Sequence, residues 1–138
     1  MLETKPRVTA VDPVWHRVCE EANEAIRNEP LLGGLIHSGL LHHSTLERSL
    51  AYRFSLKLAS GEMSEQILRE IADQAYDDDP EIGAAARSDL MAVYERDPAC
   101  HRFLQPLLFF KGYQAVQAYR IGHWLWQNGR IDMAYFVQ

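Results

Sequence analysis

The sequence predicts an all-α fold, a multi-helix bundle of about seven or eight helices. Three observations predict it. Apolar residues recur at steps of three and four, with period-2 alternation nearly absent along the 138 residues. Helix punctuation recurs throughout, most plainly as Asp-Pro pairs at Asp12-Pro13, Asp79-Pro80 and Asp97-Pro98. One segment, Pro106–Trp126, holds so many large apolar groups that as a helix it must be covered on more than one side.

The elements follow in order. Asp12 supplies an N-cap acceptor and Pro13 the first helical position, starting a helix to about Asn28 with Trp15, Val18, Ala22, Ala25 and Ile26 on one side. Pro30 opens a shorter segment, Leu31–His42, weakened by Gly33, Gly34 and Gly39. Ser44-Thr-Leu-Glu47 matches a capping box before Leu46, Leu50, Phe54 and Leu58, and Gly61 is expected to end that helix in a left-handed conformation. Ser64 caps the next helix, whose apolar pairs are Ile67/Leu68, Ile71/Ala72 and Ala75/Tyr76. Asp79-Pro80 starts another, with Ile82, Ala86, Leu90 and Val93 inward, which must end before Pro98. A helix from about Leu107 to Asn128 is closed by Gly129, and Arg130–Gln138 forms a last helix without a C-terminal stop signal, as expected of a fragment.

Composition bounds the function. Apolar residues at 47% and charged residues at 24% describe a globule, and a net charge of −5 with interspersed signs excludes the basic footprint of a nucleic-acid or membrane-surface binder. The two cysteines, Cys19 and Cys100, have no metal-ligand spacing and read as free thiols of a reducing, cytoplasmic compartment. The N-terminus lacks the apolar core of a signal peptide, and no stretch approaches the ~20 apolar residues of a membrane span. Residues 1–138 are read as one helical domain, with 1–11 a flexible arm.

On the Pro106–Trp126 helix, Lys111, Gln114, Gln117, Arg120, His123 and Gln127 form one narrow polar stripe. The rest is apolar or aromatic, including Phe109, Phe110, Tyr113, Val116, Tyr119, Ile121, Trp124, Leu125 and Trp126. Periodicity leaves two explanations open: the central helix of a monomeric bundle, or an arc partly given to a subunit interface, where Tyr and Trp are enriched. His123, with no partner at metal spacing, is expected as a hydrogen-bonded core residue. Asp77-Asp78-Asp79 are expected to cap a helix and sit in water. His42 and His43, being adjacent, point apart on a helix, and Cys100 beside His101 lacks a third, orienting group, so it reads as structural.

Arg96-Asp97-Pro98-Ala99 admits two roles that do not exclude each other. Asp97 can cap, like the other Asp-Pro pairs. Pro98 also biases Asp97 away from helical dihedrals, presenting its carboxylate at a helix break where it can accept charge-assisted hydrogen bonds from an ammonium group.

Pro106–Trp126, with Tyr119-Arg-Ile-Gly-His-Trp-Leu-Trp126 at its heart, together with Ala75-Tyr-Asp-Asp-Asp-Pro-Glu81 and Arg96-Asp-Pro-Ala99, resembles the N-terminal helical domain of serine O-acetyltransferases. The resemblance runs from about Trp15 to the end. It implies an enzyme that transfers acetyl from acetyl-coenzyme A to L-serine in cysteine biosynthesis, with L-cysteine inhibiting at the serine site. It implies a helical domain followed by a left-handed β-helix, assembled as a hexamer of two trimers, with cysteine synthase binding through a C-terminal tail. No β-helix follows within these residues, so the resemblance places no catalytic, cofactor-binding or metal-binding residue in this chain. It assigns one wall of the serine and cysteine site to Asp97, with Pro98 and Ala99 beside it. The fragment is expected to mediate oligomerisation and to be inactive alone. The rival expectation is a stand-alone, non-catalytic oligomerisation module.

Overall fold

The computed structural model describes residues 11–138, so the arm expected over 1–11 lies, apart from Val11, outside the described residues. Those residues form eight α-helices and no strand. Helix α1 (Pro13–Asn28) starts where Asp12 Oδ1 accepts the Trp15 N–H at 3.2 Å. A 3₁₀ turn (Pro30–Leu32), a short α2 (Gly33–Ile36) and a π-helical turn (His37–Leu41) follow, where one weak helix was expected. Side-chain donors redirect the backbone here: Ser38 Oγ donates to the Gly34 carbonyl and Ser49 Oγ to the Gly39 carbonyl, both at 2.6 Å. Gly39 is also a close approach, since a Cβ there would lie 3.3 Å from Arg53 Nη1.

Helix α3 (Leu46–Leu58) corrects two expectations. Its N-cap is Thr45, whose Oγ1 accepts the Arg48 N–H at 3.2 Å, and the expected Ser44–Glu47 box does not form. Glu47 is drawn away to Arg87 by an ion pair. Gly61 does not end the helix either. The chain leaves α3 at Ala59 in an extended conformation, and among the described residues only Gly129 has a positive φ, 74°. The turn after α3 is held instead by Ser60 Oγ, which accepts the N–H groups of Glu62 and Met63.

Helix α4 (Glu65–Asp78) is capped by Ser64, and Asp79 both ends α4 and caps α5 (Pro80–Arg96) by accepting the Glu81 N–H at 3.1 Å. Ile82, Ala86 and Leu90 of α5 are buried as expected, whereas Val93 is half-buried. The Pro106–Trp126 region is two helices, α6 (Leu104–Leu108) and α7 (Lys111–Gln127), separated by a break at Phe109–Phe110. Carbonyls freed by the break gain side-chain partners: Arg53 Nη2 donates to Leu108 O at 3.1 Å and Gln114 Nε2 to Leu107 O at 3.0 Å. Gly129 closes α7, with Arg130 N donating to Leu125 O at 2.9 Å, and α8 (Ile131–Val137) follows.

Helix α7 is central: it packs against α3, α4, α5, α6 and α8, while α3 lies along α4. Leu68, Leu90, Leu107, Ile121 and Leu125 are wholly buried around it, each contributing about 1.5–3 kcal/mol relative to exposure. Polar links fix the helix pairs. Asp89 of α5 accepts from Gln117 Nε2 at 2.8 Å and from Arg120 Nη2 at 3.0 Å, and Tyr113 Oη donates to Ala86 O at 3.1 Å. The guanidinium of Arg87 joins α5 to Asp12 and Glu47, binding Asp12 through Nε at 3.0 Å and Nη2 at 2.5 Å. No described helix is long and apolar enough to cross a membrane.

Candidate functional site

The α5–α6 connection presents Asp97. Helix α5 stops at Arg96 because Pro98 cannot continue it, and Asp97 takes φ −94°, ψ 113°, the extended conformation that a following proline favours. Asp97 Oδ1 accepts the Ala99 N–H at 2.9 Å, and the Asp97 carbonyl accepts the Cys100 N–H at 3.0 Å. This compact turn leaves Asp97, Pro98 and Ala99 exposed. Asp97 therefore caps no helix N-terminus. Its side chain braces the turn with one carboxylate oxygen and keeps acceptor capacity on the other.

The turn is anchored on both sides. Gln105 Oε1 accepts the N–H groups of His101 at 2.5 Å and Arg102 at 3.0 Å. The buried Glu21 of α1 accepts the Phe103 N–H at 3.1 Å, in effect capping α6 from across the core. Burial raises the Glu21 carboxyl above its ordinary value, against the opposing pull of Arg17 and of the Phe103 N–H. Arg17 spans the same corner, its guanidinium 4.8 Å from the Tyr94 ring centre and 4.3 Å from that of Phe103. Gln105 and Glu21 are the site's supporting residues that sequence reasoning missed. The i,i+4 spacing of Arg17 and Glu21 was visible, but it signals a surface pair rather than a buried cap.

Cys100 is buried, and its Sγ donates to the Arg102 carbonyl at 3.2 Å rather than meeting His101. Burial pushes its thiol up, so it is not poised as a thiolate nucleophile. Both cysteines are free, as expected.

The other candidates resolve separately. Asp79 caps α5 and Asp77 and Asp78 are exposed, as expected, and the last two also find partners: Asp77 pairs with Arg48 at 2.7 Å and Asp78 accepts the Trp124 indole N–H at 2.8 Å. Among the described residues no cluster of His, Cys, Asp and Glu could hold a metal ion. His42 and His43 do not point apart as expected, because they lie in the bend after the π-helical turn and not on a helix; their rings pack edge to face, and His43 Nε2 lies 2.9 Å from the Ser38 carbonyl. His123 departs from expectation: it is exposed and stacked on Tyr119 at 6.1 Å between ring centres, with no hydrogen bond among the described residues. It stands two residues from buried Ile121, about 200° around the helix.

Among the described residues the chain is a strand-free helical bundle with one braced carboxylate exposed at a helix break. Comparison with known proteins gives the family. The description "Serine acetyltransferase, N-terminal" matches residues 14–118. The serine acetyltransferase of Salmonella typhimurium is 45% identical over 125 residues, covering 91% of this chain and 46% of the relative. The crystal structure of the Brucella abortus enzyme superposes with a TM-score of 0.89 at 41% identity, over 93% of this chain and 53% of that one. That of the Neisseria gonorrhoeae enzyme in complex with serine gives 0.88 at 43% identity, over 97% and 55%. Similar serine acetyltransferases have been solved with coenzyme A and with cysteine. The chain belongs to the serine acetyltransferase family and corresponds to its N-terminal helical domain, spanning about half the length of the curated relatives it matches.

Proposed function

We propose that this chain is the helical assembly domain of an enzyme that transfers acetyl from acetyl-coenzyme A to the hydroxyl of L-serine, and that Asp97 forms one wall of the site shared by serine and inhibitory L-cysteine. The observation that carries the proposal is the placement of Asp97: an exposed carboxylate at a helix break, braced on one oxygen by the Ala99 N–H at 2.9 Å. A substrate ammonium meeting it gains a charge-assisted hydrogen bond without the carboxylate having to reorganise. Serine and cysteine carry the same ammonium group, so one carboxylate serves both. Acetyl-coenzyme A is the co-substrate and contacts groups outside these helices, which by themselves turn over no serine.

Assembly is the domain's second task in this proposal. Tyr119 (70% exposed), Trp126 (50%) and Tyr135 (60%) line one outer face of α7 and α8, and such aromatic surface is enriched at subunit contacts. The occupant of that face is another subunit of a homo-hexamer. Release of free coenzyme A thiol from acetyl-coenzyme A on adding L-serine, measured on the protein containing this chain, tests the activity; no serine-dependent release sinks it.

A further inference from the structure

A second concave feature lies away from the Asp97 turn, between α3 on one side and α6–α7 on the other. It is a cleft of about 290 Å³ whose walls include Phe54, Leu58 and Leu107. Arg53, Lys57 and Lys111 also line it, and none of its lining residues carries a carboxylate. This run of positive charge stands in a chain whose net charge is −5. Arg48, Arg69, Arg87 and Arg120 are each paired with an aspartate or glutamate.

Arg53 is the clearest anomaly. Its guanidinium is half-buried, its hydrogen bond is to the neutral Leu108 carbonyl, and its Nε has no partner among the described residues. Burial lowers its pKa, and no carboxylate among the described residues opposes that. A half-buried cation with no acidic partner among the described residues is left only partly compensated, so an anion supplied from outside would be stabilised there. Helix α7 begins at Lys111 with no side-chain cap, which adds positive character at the same end.

We infer that this cleft binds a small amphipathic anion, a carboxylate with an apolar tail, its tail between Phe54, Leu58 and Leu107 and its carboxylate among Arg53, Lys57 and Lys111. Size and concavity fit such a ligand, since pockets for small molecules start near 300 Å³ and are mainly apolar with a few polar groups. A second copy of this chain is the poorer fit. A twofold contact through the cleft would set cation against cation, with no acidic residue on its walls to relieve the repulsion.

Calorimetric titration of the purified protein with sodium octanoate tests the inference. One saturable site per chain is expected, with octan-1-ol, of the same tail but no charge, at least tenfold weaker, and with acetate, which lacks the tail, giving no saturable heat. Lys57 and Lys111 are exposed, so the K57Q/K111Q variant should keep the parent's thermal unfolding while its octanoate Kd rises at least tenfold. Arg53→Gln should weaken octanoate further, and the Arg53 Nε–H resonance of the parent should shift on titration. Equal affinity for octanol and octanoate, an unchanged Kd in K57Q/K111Q, or no saturable binding each overturns the inference. So does a Leu58→Asp variant that lowers the oligomeric mass, which would give the cleft to a second subunit.

Discussion

Replacing Arg87 with methionine removes the cation that ties α5 to the start of α1 and to the first turn of α3. Asp12, the N-cap of α1, is one partner and Glu47, displaced from the expected capping box, is the other. Each charge-assisted link is worth about 1.5–3 kcal/mol when well buried. Here the side chains of Arg87, Asp12 and Glu47 remain 24%, 28% and 23% exposed, so water recovers part of the loss. The pair thus sits between a surface bridge at about 0–1 kcal/mol and a broken buried one at about 3–5 kcal/mol. We expect Arg87→Met, which keeps the aliphatic stem, to lose about 2–3 kcal/mol in urea unfolding and about 10 °C in Tm for a domain of this size.

The same pair predicts a pH signature. Burial alone would raise the Asp12 carboxyl, but the Arg87 hydrogen bond, the Trp15 N–H and the Arg87 charge together hold it below its ordinary value. A carboxyl depressed in the folded state stabilises above its unfolded pKa, near 3.9, and that stability is lost as pH falls through the folded value. Arg87→Met should flatten this acid limb. Gly83 offers an internal control, because a Cβ there would lie 2.5 Å from Glu47 Oε1. Gly83→Ala should cost about 1 kcal/mol in the parent despite alanine's helix propensity, and become neutral or stabilising once Arg87 no longer holds Glu47. Stability of Arg87→Met within about 0.5 kcal/mol of the parent, with an unchanged acid limb, would refute the reasoning.

Further outcomes follow from the other buried links. Glu21→Ala should cost about 1–3 kcal/mol in urea unfolding, because the buried Phe103 N–H loses its acceptor. Glu21→Gln keeps an acceptor and should match or exceed the parent at neutral pH. Burial raises the Glu21 carboxyl, so its ionisation opposes folding, and the parent alone should gain stability as pH falls through the folded pKa toward about 4.3. The double variant Tyr119→Glu/Trp126→Glu should keep its helical circular dichroism and sediment at lower mass than the parent; an unchanged mass removes this face from the assembly.

What the sequence made legible was local. Asp12, Ser64 and Asp79 act within two or three residues of themselves, so their caps could be read from order alone. The aspartate before Pro98 was legible for the same reason. The failures have long-range causes. Glu47 leaves its capping box for Arg87, forty positions away, and α6 separates from α7 where Arg53, fifty-five positions away, takes the Leu108 carbonyl. Gln117 and Arg120, which continue the polar stripe of α7, turn inward because Asp89 meets them there. His123 was expected in the core, and the phase of α7 after the break leaves it outside. Around Asp97, the turn could be anticipated, but Glu21 and Gln105 reach it only in the folded chain.

Asp97→Asn in the whole enzyme tests the central claim most directly. The asparagine oxygen can still accept the Ala99 N–H, so the turn survives while the charge is removed. The account predicts that the KM for L-serine and the inhibition constant for L-cysteine both rise by a similar factor, about 10–100-fold, the size of one charge-assisted hydrogen bond. Serine kinetics and cysteine inhibition that match the parent would contradict it.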